Sequence, residues 1–169
     1  MAAELHPPDI HHLRSAIGWL ELGNATEAGE EIARIAPANL EHPLVLKTRW
    51  HICAAGQSWN AALPLAEKLV GIAPDQAENW IQLAYTLRRA QGAGLQQAWD
   101  ALLPAVGRFP KEPIIPFNLA CYAAQFGRPE EAIQWLRQAL DLASDRGVIR
   151  NMALADKDLE SVWEKIREL

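Results

Sequence analysis

The sequence has few cysteines, no long apolar run and no large excess of either charge. Only two of its 169 residues are cysteines, Cys53 and Cys121, and both lie in apolar surroundings far apart in the chain. A disulfide framework is therefore not expected, and a reducing compartment such as the cytoplasm is. No apolar run approaches the roughly 20 residues that span a bilayer. The N-terminal sequence MAAELHPPDIHH also lacks the basic start and apolar core of a secretory signal.

The charges are balanced and mixed along the chain. The formal net charge is −5, and acidic and basic residues are interspersed. A protein that follows a phosphate backbone usually carries a basic patch, so this pattern argues against a nucleic-acid partner. Half of the residues are hydrophobic and 22% are charged, as in a folded chain.

Motifs that carry chemistry are missing from the sequence. There is no GxGxxG, GxxxxGKS, HExxH or GxSxG pattern. His11 and His12 are adjacent, so on a helix they point about 100° apart and do not form an i, i+4 metal clamp. The acidic pairs at 30–31 and 130–131 fit solvated first-turn charges. We therefore expect no catalytic residue, no cofactor, no metal site and no enzymatic activity.

What the sequence does contain is a repeat. Two stretches, GQSWNAALPLAEKLVGIAP and GRPEEAIQWLRQALDLA, share an opening Gly, an early Ala and helical spacing of Leu and Ala. Alanines recur at intervals of 34, 36 and 34 residues, at positions Ala28, Ala62, Ala98 and Ala132. Prolines recur at intervals of 37 and 36 residues, at Pro37, Pro74 and Pro110. Glycines mark the turn inside each unit, at Gly23, Gly56, Gly92, Gly94 and Gly127.

This phased pattern resembles the tetratricopeptide repeat (TPR) family over roughly residues 9–143. The third unit shows the resemblance well, with Trp80, Leu83, Ala84, Ala98 and Pro110. The resemblance implies an all-α fold, a right-handed superhelical solenoid of about four helix-turn-helix units. We expect one domain over residues 1–169, with repeats at approximately 9–37, 43–74, 77–110 and 114–143 and a C-terminal cap at 147–169.

Helical periodicity gives the expected elements. The predicted helices span 9–22, 25–36, 43–55, 59–72, 77–90, 95–107, 114–126 and 129–143. A terminal helix is predicted at 156–169, because Leu159, Val162, Trp163 and Ile166 share one helical face. Pro104 is expected to kink or interrupt its helix, whereas Pro64 lies near enough to a helix start to be tolerated. The second helix of the first repeat is expected to be about three residues short of the family pattern.

The first helices of TPR units line the concave face, and helical phase selects the residues that would lie there. The predicted peptide-binding residues are Leu13, Ile17, Leu46, Trp50, Ile81, Tyr85, Arg88, Phe117, Cys121 and Gln125. They form a largely apolar, aromatic strip with a basic end, which is typical of a binding surface. The Lys, Asn and Arg residues of the family's carboxylate clamp are absent from these positions, which disfavours binding of chaperone C-terminal tails.

The function that this pattern favours is a non-enzymatic scaffold that binds an apolar peptide or helix in the concave groove. The resemblance also allows a small TPR chaperone of a secretion or assembly system. The compact repeat array is similar to those of bacterial proteins. A third hypothesis is a self-associating module, such as a homodimer, in which the strip or the terminal helix packs on a second copy. A competing structural interpretation is that the N-terminal segment, residues 1–9, partly fills the groove.

Overall fold

The computed structural model describes residues 4–169, and every secondary-structure element in that range is helical. The chain divides into two compact units, Met1–Ala93 and Gly94–Leu169. The division falls between the two helices predicted for the third repeat. Among the described residues, no helix is both long enough and apolar enough to pass through a bilayer.

The first unit contains five α-helices and one short 3₁₀ helix in its described part. In chain order they are α1 (Asp9–Glu21), α2 (Ala25–Ala33), the 3₁₀ helix Pro37–Asn39, α3 (Pro43–Ala55), α4 (Trp59–Ile72) and α5 (Ala77–Leu87). Helix α1 packs on α2, α3 packs on α4, and α4 packs on α5. Helix α2 has nine residues against fourteen in α4, which agrees with the short first repeat predicted from the sequence.

The second unit has six α-helices and a second 3₁₀ helix. They are α6 (Leu95–Leu102), α7 (Ala105–Arg108), α8 (Ile114–Gln125), α9 (Pro129–Leu142), α10 (Arg146–Ala155), the 3₁₀ helix Lys157–Val162 and α11 (Trp163–Arg167). Helices α8 and α9 form the most extensive pair, and the 3₁₀ helix packs on α8.

Three helix-pair turns share one hydrogen-bonded geometry. Gly23 and Gly127 have φ angles of +75° and +71°, the left-handed conformation that favours glycine. In the turn between α3 and α4 this position is taken by Gln57, at φ +52°, and not by the predicted Gly56. In each turn the next residue donates its amide to the carbonyl five residues earlier, as in Ser58 N to Cys53 O at 2.8 Å. This is the Schellman pattern that ends helices.

The two prolines inside predicted helices behave differently. Pro104 separates α6 from α7, so the helix predicted for 95–107 is interrupted there. Pro64 stays inside α4, which continues to Ile72. Proline removes one backbone hydrogen-bond donor and crowds the preceding turn of a helix. Pro64 is the sixth residue of α4, so only about one turn of helix precedes it and is affected.

The C-terminal region differs from the single helix predicted at 156–169. Asp145 caps an additional helix, α10, by accepting the amide of Gly147 at 2.7 Å. Asp156 then accepts the amide of Asp158 at 2.9 Å, which starts a 3₁₀ turn in place of an α-helix. Of the four residues predicted to share one apolar face, Leu159, Val162 and Ile166 are nevertheless buried, and Trp163 is half-buried.

The start of the described chain is anchored to the first unit. Leu5 is buried in the core cluster that contains Leu13 and Ala28. The carboxylate of Asp9 accepts hydrogen bonds from Ala36 N at 3.2 Å and Asn39 Nδ2 at 2.6 Å. These bonds lower the pKa of Asp9, the Asn39 bond contributing most. Residues 1–3 of the segment predicted to fill the groove lie outside the described range.

Candidate functional site

The ten residues predicted for the concave face do not form one open surface. Five of them are buried: Leu13, Leu46, Trp50, Phe117 and Cys121. Ile81 and Arg88 are half-buried, and Ile17, Tyr85 and Gln125 are exposed. A partner therefore does not reach the buried five unless the packing around them opens. The residues that remain accessible define smaller candidate sites in each unit.

Trp50 belongs to the core of the first unit. Its side chain is only 7% exposed, and its indole Nε1 donates to Thr86 Oγ1 at 2.9 Å. Thr86 in turn donates to the carbonyl of Gln82 at 2.7 Å, so α3 is hydrogen-bonded to α5. A buried indole N–H needs a partner of this kind. The expectation that Trp50 anchors a ligand from an open groove is corrected by this burial.

The corresponding face of the second unit is covered by the chain's own C-terminal segment. Gln125 Nε2 donates to the carbonyl of Asp158 at 3.1 Å, and Cys121 Sγ lies 3.6 Å from an Asp156 carboxylate oxygen. Trp163 Nε1 holds this segment by donating to the carbonyls of Ala153 and Asp156. The groove is thus filled from within in the second unit, by residues after α10.

Beside this cover, an open cavity of about 430 Å³ lies in the second unit. Its lining residues are Phe117, Met152, Ala155, Asp156 and Lys157. Since Phe117 itself is buried, little of its side chain is accessible there. This cavity is the part of the predicted α8 surface that the C-terminal segment does not cover.

A more apolar groove lies between α1 and α3 in the first unit. Its volume is about 460 Å³, and its lining residues are Ile17, Leu20, Glu21, Thr48, His51, Ala54 and Ala55. Ile17, the one predicted site residue among them, is 41% exposed. The α3 side of the groove combines two alanines and a threonine with the imidazole of His51. The groove has room for a large apolar side chain.

His51 gives this groove a neutral polar group. Partial burial lowers the pKa of its imidazole, while nearby Glu78 raises it and Lys47 lowers it further. Lys47 and Glu78 also form an ion pair with each other. The imidazole ring lies edge-on to Trp50 at a centroid distance of 5.0 Å. Near neutral pH the groove therefore presents an uncharged imidazole and one carboxylate, that of Glu21.

A second cluster in the first unit joins the start of α4 and the end of α5, and in it Tyr85 is exposed while Trp59 and Arg89 are half-buried. The guanidinium of Arg89 lies 3.5 Å from the ring centroid of Tyr85 and 5.4 Å from that of Trp59. The two rings themselves meet edge-to-face at 5.5 Å. A cavity of about 350 Å³ opens beside Trp59 and Arg89. Tyr85 is one of the predicted site residues, and Trp59 is not.

Several titratable groups of the described chain are engaged in structural contacts. Across residues 4–169 there is no group of three or more His, Cys, Asp or Glu side chains placed to hold a metal ion. His12 Nδ1 lies 2.8 Å from Glu31, and His42 caps α3 by accepting the amide of Leu44 at 3.2 Å. Burial raises the pKa of the Cys53 thiol, which disfavours the reactive thiolate.

Similarity to solved structures decides the fold. A thermophilic TPR protein of Thermus thermophilus superposes with a TM-score of 0.68 at 20% identity, over 95% of this chain and 100% of that chain. The chain has the tetratricopeptide-repeat fold. MamA, from residue 41 to its end, of Desulfovibrio magneticus RS-1 gives a TM-score of 0.71 at 17% identity, over 79% of this chain and 75% of that chain.

Comparison of sequences, in contrast to comparison of structures, identifies no related protein. No model of a known protein family matches the chain, and no curated protein matches it at a significant level. The likeness to solved structures at these identities concerns the fold, and function has to be argued from the surfaces of this chain.

Proposed function

We propose that this protein is a non-enzymatic interaction module that binds an apolar protein segment in the groove between α1 and α3. The observation that carries the proposal is the exposure of Ile17 in a groove whose other wall is formed by Thr48, His51, Ala54 and Ala55 of α3. Large exposed apolar side chains beside a concavity are typical of peptide-docking surfaces. Helix α3 itself is held by the buried Trp50–Thr86 bond, so the groove is preorganised.

Charge narrows the chemistry of the partner. Glu21 is the one acidic residue among the described residues that line the groove, and none of them is Lys or Arg. Its side chain is exposed at the end of α1. The lowered pKa of His51 keeps the imidazole neutral near pH 7. A segment with a Leu-type or aromatic anchor followed by a Lys or Arg therefore matches the groove better than one followed by an acid.

The cluster around Tyr85 offers a second contact for a bound segment. Its aromatic rings and the Arg89 guanidinium present apolar area and positive charge together. An acidic residue further along the segment would meet this charge. The proposed recognition therefore rests on Ile17, Tyr85 and Arg89, with Ile81 half-buried on the same helix as Tyr85 and Arg88 half-buried just after it.

Synthetic peptides test the proposal without knowledge of the natural partner. The probe is a fluorescent amphipathic peptide with Leu anchors flanked by Lys, and the comparison peptides carry Ser in place of Leu or Glu in place of Lys. In fluorescence anisotropy titrations, we expect the Leu/Lys peptide to bind with the highest affinity. Ile17→Asp should weaken its binding by about tenfold or more, and Glu21→Lys should reverse the preference for Lys over Glu.

The matched control is Ile72→Asp, since Ile72 is a comparably exposed isoleucine at the end of α4, outside the groove. It should leave binding unchanged. Equal binding of the Leu and Ser peptides, or equal losses from Ile17→Asp and Ile72→Asp, would contradict the proposed groove.

A further inference from the structure

The turn between α3 and α4 contains the one residue, among those that the structure describes, that has a positive φ angle without being glycine. That residue is Gln57, at φ +52°, whereas Gly23 and Gly127 take the same position in the other two turns of this type. A side chain at such an angle is crowded by its own backbone, so Gln57 costs stability that a glycine would not. Gln57 is exposed, so burial of its side chain does not offset this cost.

Gln57 lies at a cavity in the first unit. The volume of the cavity is about 350 Å³, and its other lining residues are Ser58, Trp59, Asn60, Ala61, Arg89 and Gln91. The amide group of a glutamine side chain offers two hydrogen-bond donors and one acceptor. The strained position therefore brings a polar side chain to the wall of a cavity, where a glycine would bring none.

Hydrogen bonds between α4 and the segment after α5 fix the walls of this cavity. Asn60 Nδ2 donates to Gln91 Oε1 at 3.2 Å, and Gln91 N donates to Asn60 Oδ1 at 2.8 Å. Because two bonds join the same pair of residues, the start of α4 is held beside Gln91 in one geometry. A ligand can therefore bind without first ordering these walls.

The positive charge of the cavity comes from Arg89. Its guanidinium lies 3.5 Å from the ring centroid of Tyr85, and its Nη1 donates to the Tyr85 carbonyl at 3.1 Å. These contacts hold the side chain and leave other guanidinium N–H groups available to a ligand. Within the described part of the chain, no carboxylate forms an ion pair with Arg89. The planar guanidinium matches a carboxylate in shape and in charge.

We propose that Gln57 and Arg89 together bind the carboxylate of an aspartate or glutamate side chain of the partner segment in this cavity. Arg89 supplies the charge, and the Gln57 side-chain amide donates a hydrogen bond that a glycine could not make. Binding thereby offsets the stability lost in the left-handed turn. The inference rests on the proposed function, because it names the residues and the ligand group of the second contact made by that segment.

A capped amino acid tests the cavity directly. The probe is glutamate with an acetylated amino group and an amidated carboxyl end, and the same derivative of glutamine is its neutral match. An NMR titration at constant ionic strength follows the indole N–H of Trp59, which lines the cavity. We expect a saturable shift with the glutamate derivative and no shift with the glutamine derivative.

Gln57→Gly is the sharpest variant, because it should raise stability and weaken binding at the same time. Relief of the left-handed conformation should raise the melting temperature. Loss of the side-chain amide should weaken binding of the glutamate derivative by about threefold or more. Arg89→Gln should weaken it by about tenfold or more. Arg14→Gln, at an exposed arginine of α1 outside the cavity, is the control and should bind like the wild type.

Three results would overturn the proposal. They are equal shifts with the two derivatives, unchanged binding in Gln57→Gly, and a melting temperature that Gln57→Gly lowers. The last would mean that the Gln57 side chain stabilises the fold. None of them touches the groove between α1 and α3, which Ile17→Asp tests with the Leu peptides. Failure of that groove would in turn leave the shift of Trp59 with capped glutamate unchanged.

Discussion

The two units differ in whether the faces of their first helices are accessible to a partner. In the first unit the groove between α1 and α3 is open, and Ile17 and His51 line it. In the second unit the face of α8 is covered, since Gln125 and Cys121 contact Asp158 and Asp156 of the C-terminal segment. A helix pair cannot bury all of its apolar surface alone, so a terminal repeat needs a cap. The comparison shows that the chain supplies that cap within the second unit and leaves an accessible groove in the first.

Trp50→Ala should have the largest effect on the stability of the first unit. The variant leaves a cavity under the open groove and removes the partner of Thr86, so we expect a loss of about 3–5 kcal/mol in unfolding free energy. Urea unfolding followed by circular dichroism measures it. Trp19→Ala, at a tryptophan of the same unit that is 36% exposed, should cost much less. Equal effects of the two variants would mean that Trp50 is a surface residue after all.

Leu159→Ala tests the covered face of the second unit. Leu159 is fully buried in the 3₁₀ helix that packs on α8, so its truncation should cost about 2–5 kcal/mol. The amides of α8 should also exchange faster with solvent, because the cover opens more often. Val148→Ala, at an exposed position of α10, is the control. Unchanged exchange in α8 would show that the segment does not protect this face.

The helices of the second-unit cap show what sequence pattern does and does not specify. Leu159, Val162, Trp163 and Ile166 were predicted to share one apolar face; the first, second and fourth are buried, and Trp163 is half-buried. The helical type was not predicted, because the Asp156 side chain turns the backbone into a 3₁₀ start. Helix α10 was missed although its signals are present, with Asp145 as N-cap and Ile149 and Ala153 at i, i+4 spacing.

Core and groove residues are harder to tell apart from sequence than helices are. Helices α3 and α8 carry apolar residues around most of their circumference, so helical phase alone does not identify the side that meets solvent. Trp50 and Phe117 were assigned to the groove for this reason and are buried. On α1, Ile17 is exposed as expected, whereas Leu13, which was also assigned to the groove, is buried. Tertiary contacts, which the sequence does not display, decide the rest.

Gln125→Ala sharpens the comparison by loosening the cover of the second unit without removing apolar area. The variant deletes one hydrogen bond, from Gln125 Nε2 to the carbonyl of Asp158, at an exposed position. We expect a loss of about 0.5–1.5 kcal/mol. Gln134→Ala, at an exposed position of α9, is a matched control that should have no effect. A loss as large as that of Leu159→Ala would indicate that the polar contact, and not apolar burial, holds the segment.

The smallest expected effect concerns His51 in the open groove. Burial depresses the pKa of its imidazole in the folded chain below the ordinary value of 6.5, so the unfolded chain binds more protons in that range. The contribution to stability is therefore complete above pH 6.5 and is lost as pH falls through 6.5 toward the folded-state pKa. An NMR titration of the His51 ring should give a midpoint below 6.5.

Glu78→Gln separates burial from charge in this shift. The carboxylate of Glu78 raises the pKa of His51, so its removal should lower the midpoint further. The same variant also frees Lys47 from its ion pair, which acts in the same direction. A midpoint at or above 6.5 in the wild type, falling below 6.5 only in Glu78→Gln, would mean that charge outweighs burial. The wall of the groove would then be better hydrated than its alanines indicate, and an apolar anchor would gain less by binding there.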